Sequence, residues 1–326
     1  MNILYVTDDN YAMQSGISMI SLLEHNKELK EVVVFIADTG ISEKNRAYLK
    51  QIAESYDREL YLISALEYVE QHLHGYNMSG FSPVVMVRLF MTEYLPDTVE
   101  KILYLDGDTL VPGSLKDLDE LNMGDRCLAA VPELYMPPHK KQISVGFKKE
   151  ETYYNSGVLL CNLQKWREDH VLDTFMTFFR ENADKLLFPD QDVLNYCFRG
   201  NILTLPFRYN FSTNLPYFPY DSVKKIQPEY CRISPVEYQR DLKHPVIIHY
   251  LGDERPWFRG NFNICRHLFE KYKKKTPWKD EPMVPGKELY MQIYHLLNCM
   301  TKICPAGRIA FSDRIGANKY KWFGKT

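Results

Sequence analysis

Two short, unbroken runs of apolar, mostly β-branched residues, 2–7 and 32–38, are each followed by a stretch of helical periodicity. No other feature restricts the fold so strongly. The first run ends in Asp8-Asp9-Asn10, after which Met13, Ile17, Ile20 and Leu23 fall on one helical face. The second leads to Ser42, a good N-cap for a helix running to about residue 55, with a further strand near 59–63. Continuous apolar strands alternating with helices predict an α/β chain with a Rossmann-like, mainly parallel sheet covered by helices on both faces. Ligands on such sheets bind outside the carboxyl ends of the strands.

Further along, a helix is expected over 83–95, with Pro83 in its first turn and Arg88 inside it. A buried strand, Lys101-Ile-Leu-Tyr-Leu105, runs straight into Asp106-Gly107-Asp108. Strands are expected at 127–131 and 157–161, helices over 163–184 and 190–198, and a last buried strand at Val246-Ile-Ile-His249. The Pro- and Lys-rich segment 132–152 reads as a loop whose Lys140, Lys141, Lys148 and Lys149 are solvated. At 326 residues, 45% hydrophobic and 25% charged, the chain can bury a large core. A net charge of -2 argues against a nucleic-acid partner. The seven cysteines lack paired spacings, and no apolar stretch is long enough to span a bilayer, so a reduced cytoplasmic protein is expected.

Composition is even over residues 1–280, which are read as one domain, and changes over 281–326. From 287 onward seven Lys or Arg face Glu288 and Asp313, with Tyr320, Trp322 and Phe323 near the end. Basic residues beside aromatics suit an anionic membrane surface, and they equally fit a solvated tail.

Chemistry concentrates at Asp106-Gly107-Asp108. In an extended segment alternate side chains point the same way, so both carboxylates can reach one hard divalent cation. Asp and Gly also make ordinary turns. Two enzyme classes use such a strand end. A phosphatase with a nucleophilic aspartate is disfavoured, because Leu110 stands where that motif continues with Thr or Val. In sugar transfer from a nucleotide sugar, the paired carboxylates hold a metal against the diphosphate. That chemistry asks for a third ligand from another strand end, and His249 is well placed. An imidazole beside two carboxylates shifts the preference toward Mn²⁺, with Mg²⁺ open. His249 also opens a loop whose Gly252 and Arg255 could contact the same diphosphate.

In order along residues 1 to about 260 lie Asp8-Asp9-Asn10-Tyr11-Ala12, Gly40-Ile41-Ser42, Arg88-Leu89, Tyr104 to Asp108, Tyr154 to Leu160, Asp190-Gln191-Asp192, Arg208 to Phe211 and His249 to Trp257. With these blocks in register the chain resembles the bacterial members of glycosyltransferase family 8, the group containing lipooligosaccharide α-galactosyltransferases. The resemblance implies a GT-A fold and a retaining hexosyltransferase that uses a UDP-hexose, galactose or glucose, to extend a saccharide or glycolipid acceptor of a bacterial surface glycan. Asp8, Asp9, Asn10, Tyr11, Ala12 and Met13 would hold uracil and ribose. Arg88 would sit near the diphosphate and sugar, and Gly107, between the two carboxylates, permits the close backbone approach that a phosphate ligand needs. Asp106, Asp108 and His249 would bind the metal, Gly252 to Trp257 would close over the diphosphate, and Asn155, Asp190 and Gln191 would line the transferred sugar. Gln191 stands where a nucleophile would, but an amide oxygen carries no charge, so same-face internal return and double displacement both stay open. Two positions depart from the family: Arg255 replaces the usual Lys, and Glu133 replaces the acceptor-side Asp. A catalytically silent sugar-nucleotide-binding protein of the same fold is the rival reading.

Overall fold

A computed structural model describes residues 1–76, 81–134, 136, 138–226, 233–308 and 310. The basic and aromatic stretch 311–326, on which much of the membrane reading falls, lies outside the described residues. Strands β1 (Asn2–Thr7), β2 (Val33–Asp38) and β3 (Glu59–Ser64) pair in parallel, joined by helices α1 (Ala12–His25) and α2 (Glu43–Ser55). The Ser42 side chain accepts from Asn45 N at the start of α2, as its N-cap position predicts. Strand β4 (Lys101–Leu105) adds in parallel on the other side of β1. The direction of winding therefore reverses between β1 and β4, and the crevice there is where an open α/β sheet binds ligands.

Beyond β4 the sheet is mixed. β5 (Thr109–Leu110) leaves the main sheet, whose order is completed by β6 (Leu128–Pro132), β7 (Tyr154–Asn162) and β8 (Ile202–Thr204) as β3-β2-β1-β4-β7-β6-β8. β7 runs antiparallel to both β4 and β6. Its first residues thus lie beside the last residues of β4, with Leu105 opposite Val158.

Three expectations needed correction. Residues 83–95 form a 3₁₀ helix, Pro83–Phe90, followed by one α turn, Met91–Tyr94, and not a continuous α-helix. The strand expected over 246–249 is shorter: β10 (Ile248–His249) pairs antiparallel with β5 and parallel with β9 (Phe211–Ser212) in a separate three-stranded sheet. Lys141 is buried in the helix Pro138–Val145, its Nζ donating to the Lys149 and Glu151 carbonyls. A long aliphatic stem and two backbone acceptors let a lysine sit there.

α1 has no single apolar stripe, since residues 14–23 are all buried. It tolerates this because its serines find partners: Ser18 bonds Tyr5 and Thr109, and Ser21 accepts from Val111 N. Thr109 in turn donates to the Asp106 carbonyl at 2.8 Å, so the helix supports the acidic turn from below. Past residue 280, Val284 bridges Phe258, and the helix Glu288–Thr301 packs Met291, His295, Asn298 and Thr301 against the domain. Among the described residues no helix is long and apolar enough to cross a membrane.

Candidate metal and donor-binding site

At the carboxyl edge of β4, the chain turns through Asp106-Gly107-Asp108 and enters β5. Pairing of β5 with β10 sets His249 opposite Thr109. Asp106, Asp108 and His249 each offer one ligand atom, and these atoms lie within 4.8 Å of one another. His249 Nε2 is 3.1 Å from Asp108 Oδ1 and 3.7 Å from Asp106 Oδ2. Residues 141 positions apart thus meet through a sheet of two-residue strands.

The imidazole tautomer follows from the hydrogen bonds around it. Gly157 N–H donates to Asn155 Oδ1, which fixes that oxygen. The same oxygen accepts from Asn210 Nδ2 at 2.7 Å, so Asn210 Oδ1 must face His249 Nδ1, 2.9 Å away. Nδ1 therefore carries a proton, and Nε2 is the atom turned toward the carboxylates. Gly157 packs so tightly that an added Cβ would come within 2.1 Å of His249 Cε1 and 2.8 Å of Asp106 Oδ2. Burial opposes a charge on His249, but the carboxylates around it, Asp108 first and then Asp106 and Glu133, together outweigh burial and raise the imidazole pKa. Burial likewise works against the Asp108 carboxylate, yet His249 and Arg255 hold its pKa below the usual range. Two carboxylates and an oriented imidazole form a donor set that fits a divalent cation.

Arg88 ties the acidic turn to the neighbouring helix Pro189–Cys197. Its NH2 lies 2.9 Å from Asp106 Oδ1, its Nε 3.3 Å from Asp190 Oδ2, and its NH1 donates to Ser156 O at 2.8 Å. Burial disfavours the guanidinium charge, but Asp106, Tyr104 and Asp190 together outweigh it and raise the Arg88 pKa. The Asp190 pKa is raised by burial, with Arg88 pulling the other way. Gln191 is held at both ends, Oε1 accepting from Ser156 N at 2.9 Å and Nε2 donating to Glu133 Oε2 at 3.4 Å. Asn155 Nδ2 donates to the same Glu133 oxygen at 2.7 Å.

The first loop is built differently. Asp8 accepts from Tyr11 N and Asn10 Nδ2, while Asp9 accepts from Ser42 N and Asn45 Nδ2 at the start of α2. Ala12 is buried and Met13 half-buried. Tyr11 reaches the site: its ring meets Trp257 edge-on at 6.2 Å and lies 5.8 Å from the Arg255 guanidinium. Arg255 Nε stands 3.7 Å from Asp108 Oδ2, buried and without a hydrogen bond. Gly252, at φ +61, makes the turn that carries this loop back. Gly107 lies against Ser15 of α1.

Ser156, Tyr104 and Asn210 do work that no functional reading of the sequence assigned them. Tyr104 OH donates to Asp106 Oδ1 at 2.6 Å, and Ser156 Oγ to Asp190 Oδ2 at 2.9 Å. All three lie inside the motif blocks. Their roles depend on cross-strand geometry that a linear sequence does not carry.

A mixed, mainly parallel sheet with paired carboxylates at the end of a central strand defines a glycosyltransferase of the GT-A fold. Residues 2–260 match Glycosyl transferase family 8, and the chain belongs to that family. It is 28% identical over 288 residues to a lipopolysaccharide 1,2-glucosyltransferase of Escherichia coli, covering 86% of this chain and 80% of that one. It is 25% identical over 285 residues to the lipopolysaccharide 1,3-galactosyltransferase of Salmonella typhimurium, covering 85% and 79%. Among solved structures, the galactosyltransferase LgtC in complex with donor and acceptor sugar analogues superposes with a TM-score of 0.71 at 28% identity, over 85% of this chain and 96% of that one.

Proposed function

We propose that this glycosyltransferase transfers a hexose, galactose or glucose, from a UDP-sugar to a saccharide or glycolipid of a bacterial surface glycan, with retention at the anomeric carbon. The convergence of Asp106, Asp108 and His249 within 4.8 Å carries the reading. The glucosyl and galactosyl activities named for its relatives support a hexose. These three residues would hold the cation, Mn²⁺ by the imidazole in the set or Mg²⁺, and a cation held there supplies charge neutralisation to the departing diphosphate.

The protein's own groups do the rest. Arg255, with an unsatisfied Nε beside Asp108, is available to a phosphate oxygen. Tyr11 and Trp257 wall the space next to it, and Asp8 and Asn10 at the open end of β1 are polar contacts for ribose and uracil, with Asp9 bracing their loop on α2. Arg88 bridges Asp106 and Asp190, and Asn155 and Gln191 present amides to the sugar. Gln191 is neutral and bonded at both ends, which favours orientation of the sugar over attack on it. Internal return, with the departing phosphate oxygen taking the acceptor proton, then accounts for retention without a covalent sugar. Asp190, engaged by Arg88 and Ser156, positions hydroxyls.

We also infer work from the cytoplasmic side, peripheral to the inner face of the membrane. Supporting this, Leu289, Ile293, Leu296, Met300 and Ile303 are exposed on and just beyond the Glu288–Thr301 helix, which has no charged residue after Glu288. Such a face, followed in the sequence by the basic, aromatic stretch 311–326, suits an anionic bilayer. The test of function is a panel of UDP-sugars with Mn²⁺. Turnover of UDP-galactose or UDP-glucose that chelation abolishes is expected, and Mn²⁺-dependent UDP binding with no turnover of any UDP-hexose would favour a silent binding protein.

A further inference from the structure

The loop 252–257 is held by a helix that lies outside the family-matched residues. Glu254, next to Arg255, is fully buried. Its Oε1 accepts from Asn298 Nδ2 and its Oε2 from Asn263 Nδ2, both at 2.6 Å. Asn263 Nδ2 also bonds the Glu254 carbonyl and Thr213 Oγ1, and Thr213 follows β9, the strand that pairs with the His249 strand. Asp253 is tied to the same helix, its Oδ2 accepting from Tyr290 OH at 2.7 Å. From the turn below, Phe262 N donates to His295 Nε2 at 2.7 Å.

A buried carboxylate is costly unless its oxygens are satisfied by fixed donors. Here the donors are one asparagine from the turn at 261–263 and one from the Glu288–Thr301 helix. Those bonds leave the backbone at 253–254 little freedom, and Arg255 is the next residue. We propose that Glu254 and Asn298 are positioning residues: together they clamp the loop so that Arg255 stays aimed at Asp108 and at the diphosphate beside it, making the Glu288–Thr301 helix part of the donor site. This rests on the donor reading of Arg255 above.

The test uses the full-length enzyme. Asn298→Leu removes the donor to Glu254 Oε1, Glu254→Gln keeps the shape while removing the charge, and Gln292→Ala changes an exposed residue of the same helix as a control. Loss of a ground-state contact raises KM while leaving kcat in place. For Asn298→Leu and Glu254→Gln the donor KM should rise about tenfold, the scale of one hydrogen bond to a charged group, with kcat and acceptor KM nearly unchanged. Gln292→Ala should behave as wild type. In a double-mutant cycle, Arg255→Ala should add little to Asn298→Leu, because both act through one contact. An unchanged donor KM in Asn298→Leu would overturn the proposal, as would effects that simply multiply with Arg255→Ala, or a fall in kcat with donor and acceptor KM rising alike. Wild type failing to bind UDP with Mn²⁺ would instead contradict the donor reading on which the clamp depends.

Discussion

Two acidic turns at the carboxyl edge of the sheet, Asp8-Asp9 after β1 and Asp106-Gly107-Asp108 after β4, look alike in sequence and are built for different work. Asp8 and Asp9 are satisfied by backbone amides and asparagine side chains nearby, and Asp9 is exposed. Asp106 and Asp108 are satisfied by Arg88, Tyr104, His249 and Arg255, brought from distant elements. Carboxylates that meet amides at helix starts anchor the chain. Carboxylates gathered with an imidazole and two guanidiniums form a site held against electrostatic cost, which is where chemistry is expected.

That contrast can be broken by substitution. Asp108→Asn should have the largest effect, lowering turnover of the UDP-sugar by about 10³-fold, since under the proposed function it removes a ligand of the cation at the centre of developing charge. An undiminished rate would remove Asp108 from the mechanism. Gly157→Ala comes next: the new methyl must displace the His249 ring or Asp106. Metal affinity, measured by calorimetry, should fall by about 100-fold or more. Asn210→Leu deletes the acceptor that orients His249 Nδ1 and should weaken metal binding by about 10-fold to 100-fold, with the fold intact by circular dichroism.

Asp9→Ala should have the smallest effect, at most about 1 kcal/mol of stability. Its sign with pH is fixed. The Ser42 hydroxyl and amide hold the Asp9 carboxyl below its ordinary value of 3.8. A depressed pKa contributes stability that is in place above the ordinary value and is lost as pH falls through the lowered one. Thermal melts of wild type and Asp9→Ala should differ at neutral pH and converge in acid. A loss of activity from Asp9→Ala comparable to that from Asp108→Asn would erase the distinction between the turns.

Legibility from sequence followed the same divide. The β1–β4 half was readable because each parallel strand is an unbroken apolar run with its helix directly after it, and Ser42 marks the start of α2. The placement of His249 beside the acidic pair was readable as chemistry, a third ligand sought at another strand end, although its strand was assigned too long and to no particular sheet. A two-residue strand such as β10 has no periodicity to detect. The 3₁₀ winding of Pro83–Phe90 was equally hidden, because Val84, Val85, Met86 and Leu89 satisfy either helical period. Nothing in the sequence pointed to Ser156 and Asn210 as partners of Arg88 and His249, since antiparallel β7 and the small sheet had first to bring them together.

The most direct test of the central claim is calorimetric titration of UDP into the protein with Mn²⁺ and again after chelation, in wild type and Asp108→Asn. If Asp106, Asp108 and His249 grip a cation that holds the diphosphate, UDP binds wild type only with Mn²⁺ and binds the variant weakly under either condition. Equal affinity for UDP with and without the metal would contradict it.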